Sequence, residues 1–156
     1  MDRLEEDDIE RIRRERVDQL KRSQKQRQQW AVQGHGDYAE IADEKQFFAD
    51  LKKEQRAVVH FYRAATRRCE IVDSHLSVLA RKHVETKFIK VNAEKSPFIC
   101  ERLKIWMLPT MVLIKDGRTD HSIVGFEELG GRDSFTTEEL ERLLLKHEVV
   151  LEQFCS

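Results

Sequence analysis

Apolar residues recur along this chain in two rhythms. Between residues 43 and 53, Phe47, Phe48 and Leu51 share one face behind Asp43, and a carboxylate placed ahead of an apolar face caps a helix, so the spacing predicts one here. Val58-Val59-His60-Phe61-Tyr62 is a short β-branched and aromatic run that predicts a buried strand. Ile71, Val72, Leu76, Leu79 and Ala80 then return to helical spacing after Cys69, and Lys87-Phe88-Ile89-Lys90-Val91 alternates like a strand. A short helix fits Phe98 to Leu103. Met111-Val112-Leu113-Ile114 and Ile123-Val124-Gly125-Phe126 flank Asp116-Gly117, a turn pair that predicts an antiparallel hairpin. A final helix starts near Thr136-Thr137-Glu138-Glu139 and carries Leu140, Leu143, Leu144 and Leu145. Strands that alternate with helices and close in a hairpin and a helix imply an α/β fold, a mixed central sheet flanked by helices on both faces.

The first 33 residues follow neither rhythm fully. Residues 2 to 33 hold no Gly or Pro, and Ile9, Ile12, Val17, Leu20 and Trp30 form a narrow stripe on an otherwise charged and Gln-rich helix. Acidic residues dominate to Glu10 and basic ones from Arg11 to Arg27, the order that complements a helix macrodipole at both ends. Asp7 with Arg11 and Asp18 with Arg22 stand four apart, as ion pairs on a helix do. Gly34 suits a C-terminal cap. The expected organisation is a charged helix and hinge over 1–36, a folded domain over 37–147 and a tail over 148–156. The stripe either packs back on the domain or docks, with Arg13 and Arg14 beside it, on a partner.

Charged residues make up 37% of the 156-residue chain, well above the usual ~25%, yet the formal net charge is −1. That balance argues against general attraction to nucleic acid or an anionic membrane, and the basic stretch lacks interleaved aromatics for stacking on bases. No apolar run approaches a spanning length, and the acidic start does not look like a targeting segment. Cys69, Cys100 and Cys155 make an odd number without framework spacing, which suggests reduced thiols and a cytoplasmic setting; a monomer is expected.

The element order resembles the thioredoxin arrangement, with Met107-Leu108-Pro109-Thr110 ahead of the hairpin in the place of the thioredoxin cis-proline, and Pro109 is expected to be cis. Where thioredoxins carry Cys-x-x-Cys, however, this chain reads Thr66-Arg67-Arg68-Cys69. The first cysteine of that motif attacks a disulfide and the second resolves the mixed disulfide. Thr66 stands in the attacker's place, and a hydroxyl cannot enter thiol–disulfide exchange. Cys69 alone remains, either as a buried and inert thiol or as a single redox thiol activated by a helix N-terminus and by Arg67 and Arg68.

Further motifs narrow the resemblance. Gly34-His35-Gly36-Asp37-Tyr38, His60-Phe61-Tyr62-Arg63, Glu94-Lys95-Ser96-Pro97-Phe98, Glu101-Arg102-Leu103 and Val124-Gly125-Phe126-Glu127-Glu128-Leu129-Gly130-Gly131 are similar, in register, to the third branch of the phosducin-like family. The resemblance covers about Glu5 to Leu145. It implies a cytosolic co-chaperone that binds the eukaryotic chaperonin, the TCP-1 ring complex, and modulates its ATPase and the folding of actin and tubulin. It also implies the lone cysteine at Cys69, which that branch carries without a partner three residues earlier. Members of the family have further helical sequence before this region and a charged tail after it. The alternative is a thioredoxin-like redox protein acting through Cys69.

The remaining candidates are weaker. His60 falls where thioredoxins keep an acidic group beneath their cysteines, and without an attacking thiol it reads as a hydrogen-bonded core residue. His35, His75, His83, His121 and His147 include no pair three or four apart and no Cys-His ligand spacing, so neither metal nor cofactor is expected. Gly34-His35-Gly36 and Gly130-Gly131 lack the P-loop pattern. Trp106 reads first as packing at a strand start, with exposure on a contact face as the second reading. Arg63, Arg67 and Arg68 are either a recognition surface for acidic partners or a solvated loop.

Overall fold

The computed structural model describes residues 3–155, and the chain divides into two compact units, residues 1–33 and 34–156. The first is a single helix, α1 (Arg3–Val32). Glu5 and Glu6 lie in its first turn, where the N–H groups have no intrahelical partner, but no basic residue lies in its last turn. The helix runs past the basic stretch, so the dipole complement expected at both ends holds at one. Arg11 pairs with Asp8 at 3.2 Å, a spacing of three where four to Asp7 was expected. Ile9, Ile12, Val17 and Leu20 of the apolar stripe are 41%, 42%, 48% and 64% exposed.

The second unit is built on strands β1 (Tyr38–Glu40), β2 (Arg56–Tyr62), β3 (Lys87–Asn92), β4 (Thr110–Lys115) and β5 (Arg118–Val124), in the spatial order β1-β3-β2-β4-β5. The first three are parallel, while β4 runs antiparallel to both β2 and β5. Helices α2 (Glu44–Lys52), α3 (Arg67–Lys82), α4 (Pro97–Arg102) and α5 (Thr137–Lys146) supply the covering layers. Asp43 caps α2 by accepting from the Lys45 N–H, and Thr136 with Glu139 forms a reciprocal capping box on α5. Asp116 and Gly117 turn the β4–β5 hairpin with φ of 52° and 76°. A Cβ on Gly117 would approach the Lys52 carbonyl oxygen to 2.9 Å, so the tip of the hairpin admits no side chain there.

The sheet separates two apolar layers. Val58, Met111, Leu113 and Ile123 pack with α3 and α5, while Val59, Phe61, Val112 and Ile114 pack with Phe47, Leu51 and Ile99 of α2 and α4. The alternation along β2 puts successive residues into opposite layers, and because both faces are covered the strand reads in sequence as an unbroken apolar run.

Two expected boundaries move. His35, assigned to a hinge ending at residue 36, is buried and bridges the Val84 carbonyl and the Glu54 carboxylate, both at 2.7 Å, so the folded unit begins with Gly34. The expected tail 148–156 is partly core. Val149 and Val150 are fully buried among α3 and α5 residues, Thr86 Oγ1 donates to the Val149 carbonyl at 2.6 Å, and the Leu151 N–H donates to Glu85 at 2.8 Å. Strand β1, three residues long, was not expected; it is held by parallel pairing with β3 from Tyr38 to Glu40.

Candidate functional site

β2 ends at Tyr62, and the chain reverses through Ala65, at φ 58°, into the start of α3. Thr66 is the N-cap of α3, with extended backbone angles and no side-chain capping bond; its hydroxyl accepts from Arg63 Nε at 3.3 Å. The group in the attacking position is therefore a partly buried hydroxyl engaged with a neighbouring guanidinium. Cys69 lies in the first turn of α3 at 1% exposure. Burial pushes its thiol upward from the usual cysteine range, and a hydrogen bond from the Arg63 backbone pulls the other way without overcoming it. Desolvation of the charged form thus outweighs the nearby donor at this helix N-terminus.

Beneath this loop, β2 and α3 carry a polar cluster inside the apolar layer. His60 is wholly buried; its Nδ1 lies 3.0 Å from Asp73 Oδ1 and 2.9 Å from the Tyr38 hydroxyl, which itself donates to Asp73 at 2.5 Å. Burial holds the imidazole below the ordinary histidine range, so it is neutral and donates from Nδ1. Its Nε2 has no hydrogen-bond partner and carries only a lone pair. Burial alone would raise the Asp73 carboxyl, but the bonds from His60 and Tyr38 hold it below its normal value. Burial and the adjacent carboxylate drive the Tyr38 hydroxyl well above the phenol range. Lys90 leans over the rings of Tyr38 and Tyr62, at 5.6 and 5.2 Å, with its ammonium 3.9 Å from Asp73. His60 is thus the hydrogen-bonded core residue anticipated. Its partners were not: Asp73 follows Cys69 by one helical turn, a spacing that offered a signal, whereas Tyr38 sits in the unexpected β1.

Leu108–Pro109 is cis, as anticipated, and Pro109 is buried immediately before Thr110, which pairs with Phe61. That register puts the cis bond at the same end of the sheet as the 63–66 loop. Trp106 is 79% exposed, against the first reading that it packs and in line with the second that it is exposed, and Met107 and Phe98 are exposed at 38% and 57%. The indole precedes the strand and its sheet pairing, which leaves it outside the layer that β4 enters.

Arg63 and Arg68 make separate contacts. Arg68 donates to Asp133 at 2.9 Å and stacks 4.9 Å from the Phe126 centroid, while Arg63 reaches toward Glu94 at 4.0 Å. Arg67 is exposed. On the helical unit, Arg13, Arg14 and the stripe residues other than Trp30 are likewise exposed, and Trp30 lies in the last turn of α1. No helix among the described residues is long and apolar enough to cross a membrane.

The thioredoxin family model matches residues 38–138. Among solved structures, mitochondrial thioredoxin 3 from Saccharomyces cerevisiae superimposes with a TM-score of 0.58 at 23% identity, over 70% of this chain and 94% of that one. Thioredoxin domain-containing protein 9 from Homo sapiens is 50% identical over 141 residues, 90% of this chain and 62% of its own length. Its homolog from Arabidopsis thaliana is 47% identical over 96% of this chain and 71% of its own length. Phosducin-like protein 3 from Drosophila melanogaster is 51% identical over 90% and 65%. The chain therefore spans roughly two thirds of the length of these relatives. With the family model over most of the folded unit and about half of the aligned residues shared with such relatives, the chain belongs to the thioredoxin family, in the branch of thioredoxin domain-containing protein 9 and phosducin-like protein 3.

Proposed function

We propose that this protein is a non-enzymatic co-chaperone of the cytoplasm, which binds the eukaryotic TCP-1 ring complex and modulates its ATPase and the folding of actin and tubulin. The observation that carries this reading is the state of the former redox loop. Thr66 replaces the attacking sulfur, and the surviving Cys69 is sealed at 1% exposure with its thiol raised by burial. A fold retained without its dithiol has its surfaces left to work with.

Those surfaces favour protein contact. Trp106 and Phe98 stand out of the globular unit, and aromatic side chains contribute large contact area at low entropic cost. The charged circumference of α1 suits electrostatic docking, which steers and orients a complex more than it tightens it. The partner class is taken from the resemblance to the phosducin-like branch, for which chaperonin binding is expected.

Insulin reduction, run beside chaperonin co-purification for the natural chain and Cys69→Ser, tests the reading. The expected result is no reductase turnover in either protein and equal recovery of TCP-1 ring subunits with both. Turnover lost in Cys69→Ser, with no chaperonin recovered, would establish the single-thiol redox alternative instead.

A further inference from the structure

The histidines are scattered too widely in sequence to suggest ligands, but the fold gathers two of them around one carboxylate. In β5, Leu113 pairs with His121 and Ile114 with Thr119, so Asp120 is an extra residue at a bulge. Leu113 and Ile123 both point into the layer beneath α5, which turns His121 toward the same face. His147 is the C-cap of α5, and Glu128 sits in the turn that follows β5. The three side chains meet there. His121 Nε2 lies 3.0 Å from both Glu128 oxygens, His147 Nε2 lies 3.9 Å from Glu128 Oε1, and the three donor atoms fall within 4.8 Å of one another.

The state of His147 is the telling feature. Its Nε2 is buried without a hydrogen-bond partner, an arrangement folded proteins seldom tolerate. The nitrogen lies 3.9 Å from a carboxylate oxygen of Glu128, too far to bond directly but at a separation an intervening ion would fill. The other grouping of possible ligands, His83, Glu141 and Cys155, is a useful contrast. His83 is bonded to Glu85 through Nδ1 at 2.8 Å and to Glu141 through Nε2 at 2.5 Å, and Lys82 Nζ lies 2.9 Å from Glu141. Both of its nitrogens face carboxylates and an ammonium already supplies the cation, so that grouping is complete from within.

We propose that His121, Glu128 and His147 form a binding site for a divalent transition-metal ion, zinc by the character of the donors. Two imidazole nitrogens and a carboxylate are a standard donor set for that ion. In a tetrahedral shell with bonds of ~2.0–2.2 Å, adjacent ligand atoms stand ~3.3–3.6 Å apart, and the separations of 3.0 and 3.9 Å bracket that value. The imidazole rings stack 4.1 Å apart at an interplanar angle of 12°, so ligation requires them to splay until both lone pairs converge. His121 and Glu128, at 34% and 35% side-chain exposure, have room to make that adjustment. The position at the C-terminus of α5 helps, because the unbonded carbonyls there favour positive charge. Asp120 adds negative charge and Lys146 opposes it. Three protein ligands leave a coordination position open to water or to a donor from another molecule.

The test uses the full chain titrated with cobalt(II), a spectroscopic substitute for zinc, and with zinc(II) by calorimetry. One equivalent should bind with visible ligand-field bands and no near-ultraviolet thiolate charge-transfer band. His121→Gln combined with His147→Gln should weaken binding on the order of 100-fold or more, whereas Cys155→Ser should leave it unchanged. Glu128→Gln, an exposed substitution, serves as the second variant if the double change impairs folding, and circular dichroism checks each protein. Three results would overturn the proposal: no stoichiometric binding by the natural chain, equal affinity in the well-folded histidine variant, or a thiolate band that vanishes with Cys155→Ser.

Discussion

If burial rather than chemistry silences Cys69, its reaction with an added disulfide reagent is set by how often the fold opens. Replacing Cys100 and Cys155 with Ser leaves Cys69 as the only thiol. At 1% exposure the sulfur is unreachable without unfolding the first turn of α3 or more. For a domain of ordinary stability, an opening free energy of even ~5 kcal/mol, the low end of the global range, corresponds to slowing of more than ~1,000-fold at ~1.4 kcal/mol per factor of ten. The Cys100→Ser/Cys155→Ser protein should thus react at least three decades more slowly than a peptide thiol at neutral pH, and its rate should climb steeply with urea. In the natural chain the half-buried Cys100 and Cys155 should be modified first. A rate for Cys69 within tenfold of a peptide thiol in the absence of urea would refute the reasoning, because it would place the sulfur at the surface.

Further outcomes follow from the packing and the charges. Val149→Ala with Val150→Ala removes two buried carbons from each site, about 0.8 kcal/mol per carbon before any cavity cost, so urea unfolding should show a loss of at least about 3 kcal/mol with an unchanged slope; a loss under about 1 kcal/mol would make the segment a detachable tail. At His83, burial favours the neutral ring but its hydrogen bonds to the Glu85 and Glu141 carboxylates outweigh it and raise the imidazole above its ordinary 6.5. A raised folded value means the contribution is complete below about pH 6.5 and fades as pH climbs through the folded value. His83→Gln should cost about 3–5 kcal/mol at pH 6 and flatten the decline in stability on the alkaline side, which urea titrations at several pH values would detect. His60 works in the opposite sense: held neutral, it contributes fully above about pH 6.5 and loses ground as pH falls toward its lowered value, so Tyr38→Phe, which removes one partner of Asp73, should reshape the acid limb of the same titration.

Local chemistry made much of the globular unit legible. Asp43 and Thr136 cap helices where a capping residue precedes an apolar face, and Asp116-Gly117 turns a hairpin because both positions need positive φ. The Thr66-Arg67-Arg68-Cys69 stretch could be read because its deficit is one of composition: an absent sulfur is visible in the letters themselves. What stayed hidden depends on distant chain segments. β1 has three residues with little apolar content and exists through its pairing with β3. Val149 and Val150 look like part of a trailing end until the C-terminus of α5 directs them under α3. Lys90 reads as an outward-facing strand residue, yet it bridges Tyr38, Tyr62 and Asp73. The grouping of His121, Glu128 and His147 needs a bulge, a turn and a helix end to be placed together, and no spacing in the sequence announces it. Trp106 shows the converse: its place beside a strand fits packing or exposure in the letters, and it is exposed because the chain enters the sheet only after it.

Whether this protein works by contact is decided by equilibrium binding of the purified chain to purified TCP-1 ring complex in a reducing buffer, with Cys69→Ser and the unit 34–156 measured alongside. Saturable binding that is unchanged in Cys69→Ser and weakened without residues 1–33 is the predicted result. Absence of binding by the natural chain, or binding that disappears with the Cys69 sulfur, would contradict it.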